Sequence, residues 1–139
     1  MLDNRKELNF MRILIIESLA QEGIDLLCAE KDWEIVVRPH LSPEQLKKAI
    51  KQCDALVVRG QTRVTSEIIQ AATRLKLIGR AGTGVDNIDL AAAREHNIPV
   101  AYTPTGNTNA VAEHAMALML ASACKIGPAE RALMEGRFS

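Results

Sequence analysis

The chain has 139 residues, 47% hydrophobic and 3% aromatic, and its 17 basic and 17 acidic side chains cancel to a formal charge of zero. That length suits about one domain with a real core, while the balanced charge and scarce aromatic rings argue against nucleic acid as a partner. The longest apolar stretch, Ala115 to Ala121, is far too short to span a bilayer, so no membrane partner is expected either.

Residues 1–10 mix charges without an apolar signal core and are expected to be a disordered extension. Arg12-Ile13-Leu14-Ile15-Ile16 is a continuous apolar run, the kind buried on both faces of a parallel sheet. Ser18-Leu19-Ala20-Gln21 reads as a capping box, opening a helix whose inward stripe is Ile24, Leu27 and Cys28. A second strand runs from Trp33 to Val37. Ser42-Pro43-Glu44-Gln45 is a second capping box with proline at the first helical position, followed by Leu46, Ala49 and Ile50. A third strand covers Ala55 to Val58, and Thr65 or Ser66 caps a helix carrying Ile68, Ile69 and Ala72. Lys76 to Ile78 is the fourth strand, Asn87 to Glu95 a helix that Asn97 ends, and Ile98 to Ala101 the fifth strand.

Five strands alternating with helices imply right-handed crossovers and an α/β fold, a doubly wound five-stranded parallel sheet over residues 11–104. After Pro104 comes a turn cluster and then one long helix, Ala110 to Cys124, apolar nearly all round. Such a helix needs burial that the sheet alone does not supply, so self-association as a homodimer through residues 110–124 is expected. No further element is expected after it. Cys28, Cys53 and Cys124 form no metal-ligand spacing and read as small core residues of a reduced, cytoplasmic protein. No metal site is expected.

The chemistry concentrates between Gly79 and Leu90, where a glycine cluster follows a strand and precedes a helix. Bare backbone N–H groups at Gly82, Thr83 and Gly84 can approach a carboxylate or phosphate. The loop is not the dinucleotide fingerprint. Asn87 stands where the third glycine belongs, and no acid follows about 20 residues on. Arg80 at the strand exit and Arg59 after the third strand supply guanidinium groups at the same rim, with Arg38 a weaker third candidate. Asn107 is open to two readings, a ligand contact or a helix N-cap. Glu113 and His114 are adjacent on a helix and do not face each other, so they form no acid–base pair. His40 and His96 read as surface residues.

Val57-Val58-Arg59, Val64-Thr65, Gly79 through Leu90, Asn97-Ile98-Pro99-Val100, Thr103-Pro104 with Gly106-Asn107, and Ala112-Glu113-His114 occur together in one order and spacing. On these the chain resembles the N-terminal part of a D-isomer-specific 2-hydroxyacid dehydrogenase, most strongly members that oxidise 3-phosphoglycerate on the route to serine. The resemblance implies a flavodoxin-like substrate-binding domain over residues 11–104. It implies that residues 105–139 are a crossover and dimerisation helix opening a nucleotide-binding domain beyond them. It further implies NAD as cofactor, approached here by Thr83, and a small phosphorylated 2-hydroxy acid as substrate, held by Arg59, Arg80, Gly82, Gly84 and Asn107. The family's catalytic Arg, Glu and His lie further along, so no catalytic residue is assigned and the 139 residues alone are expected to be inactive. A non-catalytic binding or dimerisation module and a dehydrogenase for glyoxylate, hydroxypyruvate or D-lactate are the alternatives. A receiver-like signalling domain fits poorly, because Arg59 and Tyr102 stand where it needs an acid and a lysine.

Overall fold

The computed structural model describes residues 10–137; the extension expected over residues 1–10 lies, apart from Phe10, outside them. In chain order the elements are β1 (Met11–Ile15), α1 (Gln21–Cys28), β2 (Trp33–Val37), α2 (Pro43–Ala49), a 3-10 turn (Ile50–Gln52), β3 (Ala55–Val58) and α3 (Ser66–Ala71). There follow β4 (Leu77–Arg80), α4 (Leu90–Glu95), β5 (Val100–Tyr102), α5 (Thr108–Ala123) and α6 (Ile126–Met134). The chain divides between Pro104 and Thr105 into two compact units.

The first unit is built on a five-stranded sheet in the order β2-β1-β3-β4-β5, and every pairing is parallel. This is the flavodoxin-like winding expected of the alternating pattern. Apolar runs make it possible, because both faces of the central strands are buried. On one face Leu14, Leu56, Val58 and Ile78 meet Leu46 of α2, Ile68 and Ile69 of α3, and Ala92 and Ala93 of α4. On the other, Ile13, Ile15 and Ala55 meet Ile24 and Leu27 of α1. Each fully buried aliphatic side chain contributes about 1.5–3 kcal/mol.

Several boundaries differ from the sequence reading, each for a local reason. β4 continues through Gly79 and Arg80 because β3 still offers ladder partners, pairing Val57 with Gly79 and Val58 with Arg80. β5 starts only at Val100 because Ile98 closes α4: its N–H donates to Ala93 O at 2.8 Å, and Asn97 N–H donates to Arg94 O at 3.0 Å. Asn97 makes that closure in the left-handed region, φ 56°, so it does end the helix. The Ser42 capping box forms as read, with Gln45 N–H donating to Ser42 Oγ and Ser42 N–H donating to Gln45 Oε1. The box expected at Ser18 does not form. α1 begins at Gln21 after an extended Ala20 that makes no side-chain cap, which leaves Ser18 outside the helix. Cys28, expected on the inward stripe, instead faces solvent, as does Cys124, and only Cys53 is a buried thiol. α4 starts at Leu90 rather than near Asn87, capped by Asp89, whose Oδ1 accepts Ala92 N–H at 3.0 Å.

The second unit holds α5 and a helix the sequence reading did not anticipate, α6. The axes of the two are bent by 59° at Lys125, which adopts a left-handed φ of 51°. Pro128 explains the break: in a continuous helix its ring would collide with the carbonyl of Cys124, whereas in the first turn of a new helix it is tolerated. α5 has no buried residue, and Val111, Met116, Leu118, Met119 and Leu120 are all exposed.

At the amino end of the sheet the Asp54 carboxylate, 2% exposed, anchors three groups. It accepts Arg12 N–H at 3.0 Å, Arg74 Nη2 at 3.0 and 3.2 Å, and Lys76 Nζ at 3.2 Å. Burial opposes its charge, but the Arg12 N–H and the two cations together hold its carboxyl below the ordinary aspartate value. A lowered carboxyl contributes stability that is present above its unfolded pKa and is lost as pH falls through the folded one. Asp54→Asn should therefore cost about 2–3 kcal/mol at pH 7, since the exposed Arg74 and Lys76 discount the full burial penalty. Urea unfolding at pH 7 and pH 3 checks this: the gap between the two proteins should narrow at the lower pH.

Candidate functional site

In parallel sheets ligands bind beyond the carboxyl ends of the strands, and here the loops after β1, β3 and β4 meet at that edge. Their organiser is Glu17, the second residue after β1 and 8% exposed. Its carboxylate accepts the backbone N–H groups of Arg59 at 3.1 Å, Gln61 at 3.1 Å and Thr62 at 3.0 Å. Burial works against the charge, yet the N–H groups of Thr62, Gln61 and Arg59 and the Thr62 side chain hold the carboxyl below its ordinary value. Asn87 approaches the same loop from the other side. Its Nδ2 donates to Arg59 O at 2.9 Å and to Thr62 O at 2.7 Å. Neither residue was singled out for this role by the sequence reading. The available signals were an acid directly behind an apolar strand, and an asparagine in place of the fingerprint's third glycine.

Arg59 is exposed, and one of its guanidinium nitrogens donates to Ser18 O at 3.2 Å; it pairs with no carboxylate among the described residues. The second guanidinium, Arg80, lies against two glycines. A Cβ on Gly82 would come within 1.7 Å of Arg80 Nη1, and one on Gly60 within 3.5 Å of Arg80 Nη2. Gly82 thus leaves the space the guanidinium occupies. Arg80 Nε is buried with no hydrogen-bond partner, an unmet donor in a site of anion-binding composition.

The glycine loop uses one of its three expected amides internally, since Gly82 N–H donates to Arg80 O at 2.9 Å and Gly82 O accepts Thr103 N–H at 3.1 Å. No hydrogen bond among the described residues uses the N–H of Thr83 or Gly84. Gly84 is close to the Asp86 carboxylate, where a Cβ would come to 3.1 Å of Oδ2. The first unit therefore brings together Arg59, Arg80, Gly82, Thr83 and Gly84. Asn107 belongs to the second unit, where it precedes α5; its carbonyl accepts Val111 N–H at 2.9 Å, but its side chain makes no capping bond. Arg38 lies past β2, with its N–H on Ile15 O at 2.8 Å. His40 is exposed, and His96 packs its Nδ1 2.9 Å from Ala92 O.

A cleft of about 810 Å³ also opens between α2 and α3 and borders the Arg59 loop at Gln61 and Thr62. Lys47 and Glu67 line it and pair with each other. The rim with Arg59, Arg80 and unpaired amides is the better match to an anion.

A family model described as D-isomer specific 2-hydroxyacid dehydrogenase, catalytic domain, matches residues 13–134. D-3-phosphoglycerate dehydrogenase of Archaeoglobus fulgidus is 47% identical over 128 residues, covering 92% of this chain and 24% of that protein. Hydroxypyruvate reductase of Thermotoga maritima is 43% identical, covering 91% of this chain and 41% of that protein. The crystal structure of NAD+-bound 3-phosphoglycerate dehydrogenase from Entamoeba histolytica superposes with a TM-score of 0.72 at 33% identity, over 81% of this chain and 39% of that one. The chain thus spans about a quarter to two-fifths of the length of these relatives.

The seating of Arg80 is directly testable. Gly82→Ala should expel its guanidinium while leaving the stability of the sheet within about 1 kcal/mol. Titration with inorganic phosphate should move the Thr83 and Gly84 amide resonances of the wild type and leave those of the variant in place. Equal responses would show that the Arg80 seat takes no part in binding anions.

Proposed function

The chain belongs to the D-isomer-specific 2-hydroxyacid dehydrogenases, and from that premise we propose that it forms the substrate-binding part of an NAD-dependent enzyme oxidising 3-phosphoglycerate to 3-phosphohydroxypyruvate. The observation that carries the reading is the paired guanidinium groups beside the glycine loop. Arg59 lies exposed on its loop, and Arg80 has a buried N–H lacking an acceptor. A phosphorylated 2-hydroxy acid has two anionic ends and needs two such elements. The Thr83 and Gly84 amides with Arg80 suit the carboxylate, and Arg59 suits the phosphate, whose charge is about −1.5 to −2 near neutrality. Asn107 is a further contact proposed for the substrate.

Family relatives named as dehydrogenases, one of them with NAD+ bound, support NAD as the cofactor. Of the residues present, Thr83 is suited to approach it through a free N–H, while the chain contains no G-x-G-x-x-G turn to cradle a pyrophosphate. The chemistry NAD supplies when bound is hydride acceptance from C2. The residues described here bind and orient the substrate, and the proton transfer that accompanies hydride loss falls to groups outside the 139. On this reading these residues catalyse no turnover by themselves.

The hydroxypyruvate reductase relative favours a second reading, in which the substrate carries no phosphate. Arg59→Ala in the active enzyme containing this chain separates the two. It should raise KM for 3-phosphoglycerate with little change in kcat, because the phosphate is remote from the reacting carbon. The loss of about 1.5–3 kcal/mol in a charge-assisted contact corresponds to roughly ten- to a hundred-fold in kcat/KM. D-lactate and glyoxylate should be barely affected; equal losses on all three would favour the second reading.

The partner proposed for α5 is a second copy of the chain, because its exposed Met116, Leu118, Met119 and Leu120 form an apolar surface too continuous to leave in water. Met116→Glu or Leu120→Glu should shift the chain toward monomer in sedimentation velocity at tens of micromolar, leaving the sheet folded. A wild type that is already monomeric there would overturn the dimer.

A further inference from the structure

Glu17 and Asn87 grip one short segment from opposite sides. Five hydrogen bonds converge on residues 59–62: three N–H groups donate to the Glu17 carboxylate and two carbonyls accept the Asn87 amide. The backbone of Arg59 is held at both its N–H and its carbonyl, as is that of Thr62. Asn87 is itself part of the descending arm of the glycine loop. That arm is also tied to Val64, two residues past the segment, by Val64 N–H on Asn87 O at 2.8 Å and Asp89 N–H on Val64 O at 2.9 Å, which form a parallel bridge between Val64 and Ile88.

We propose that Glu17 and Asn87 are positioning residues that lock the Arg59 loop to the glycine loop, so that the two anion-binding elements keep one fixed spacing. Neither side chain need touch the substrate. A carboxylate fits the Glu17 position because only a pure acceptor with two oxygens can collect three N–H groups. An amide fits position 87 because two carbonyls require a double donor. A glycine at position 87, as in the dinucleotide fingerprint, would leave both carbonyls without that donor. The arrangement works as a ruler: a ligand with two anionic ends must match the distance between the loops, whereas a ligand with one end engages a single loop and is indifferent to it. This use of the spacing rests on the proposed reading of Arg59 and the glycine loop as substrate contacts; the coupling itself does not.

Amide resonances and hydrogen exchange of the 139-residue chain test the coupling without any ligand. Asn87→Ala should speed exchange at Arg59, Gln61 and Thr62 by about ten-fold or more, in line with the loss of two hydrogen bonds on the segment. Glu17→Gln should move the resonances of Thr83 and Gly84 although it contacts neither, and Glu17→Asp, which keeps the charge, should restore part of the wild-type pattern. Should Asn87→Ala fail to fold, the two Glu17 variants decide alone. Changes confined to residues 59–62, with Thr83 and Gly84 unmoved, would overturn the proposal. A second arm titrates 3-phosphoglycerate and D-lactate. Glu17→Gln should weaken 3-phosphoglycerate about as much as Arg59→Ala does, add nothing in the double variant, and leave D-lactate binding unchanged. Equal, additive weakening of both ligands would mark Glu17 as structural only. If Arg59→Ala leaves 3-phosphoglycerate binding intact, or the wild type does not bind it, the substrate reading fails while the amide data still decide the coupling.

Discussion

A single buried carboxylate, Glu17, fixes the end of the sheet where chemistry is concentrated. A loop leaving a parallel strand turns away from the ladder and strands its N–H groups; those of Arg59, Gln61 and Thr62 find their acceptor in Glu17. The same solution appears at the opposite end of the same two strands. There Asp54, just before β3, accepts the N–H of Arg12 in β1. The central β1–β3 pair is therefore stapled twice, once by an acid entering β3 and once by an acid leaving β1. The two staples differ in what they serve. Asp54 is neutralised by Arg74 and Lys76, a closed arrangement in which both cations already have a partner. Glu17 is met by neutral groups, three backbone N–H groups and the Thr62 side chain, and by no cation among the described residues, so Arg59 and Arg80 at its edge stay out of any ion pair with it.

Much of this was written plainly in the sequence. The apolar runs of β1 and β3 identify a two-sided parallel sheet because strands covered on both faces leave no polar alternation to read. Ser42-Pro43-Glu44-Gln45 specifies the start of α2 through chemistry confined to four residues. Ser18-Leu19-Ala20-Gln21 shows the same pattern and forms no box, because the path of the chain out of β1 is set by Glu17 and the distant loop it binds. Long-range partners decide such cases, and a local motif carries no record of them. That the glycine loop and the two arginines share one rim was legible from residue type and position. The grip on the Arg59 loop was not, since its donors and acceptors are separated by 25 to 45 residues. α6 escaped notice for a simpler reason: Pro128 reads as the end of a helix as readily as the first turn of the next.

The break at Lys125 decides how long a straight helix this part of the chain presents. α5 and α6 together have the length and composition of a membrane-crossing segment, but their axes are bent by 59°. Run straight at 1.5 Å per residue, the pair would reach about 40 Å, enough to cross a hydrocarbon core of about 30 Å. The ring of Pro128 is incompatible with that rod, since it excludes the helical carbonyl of Cys124, and Lys125 at the break adopts the left-handed region. One imino acid thus divides what would be a single straight rod into a jointed helical pair.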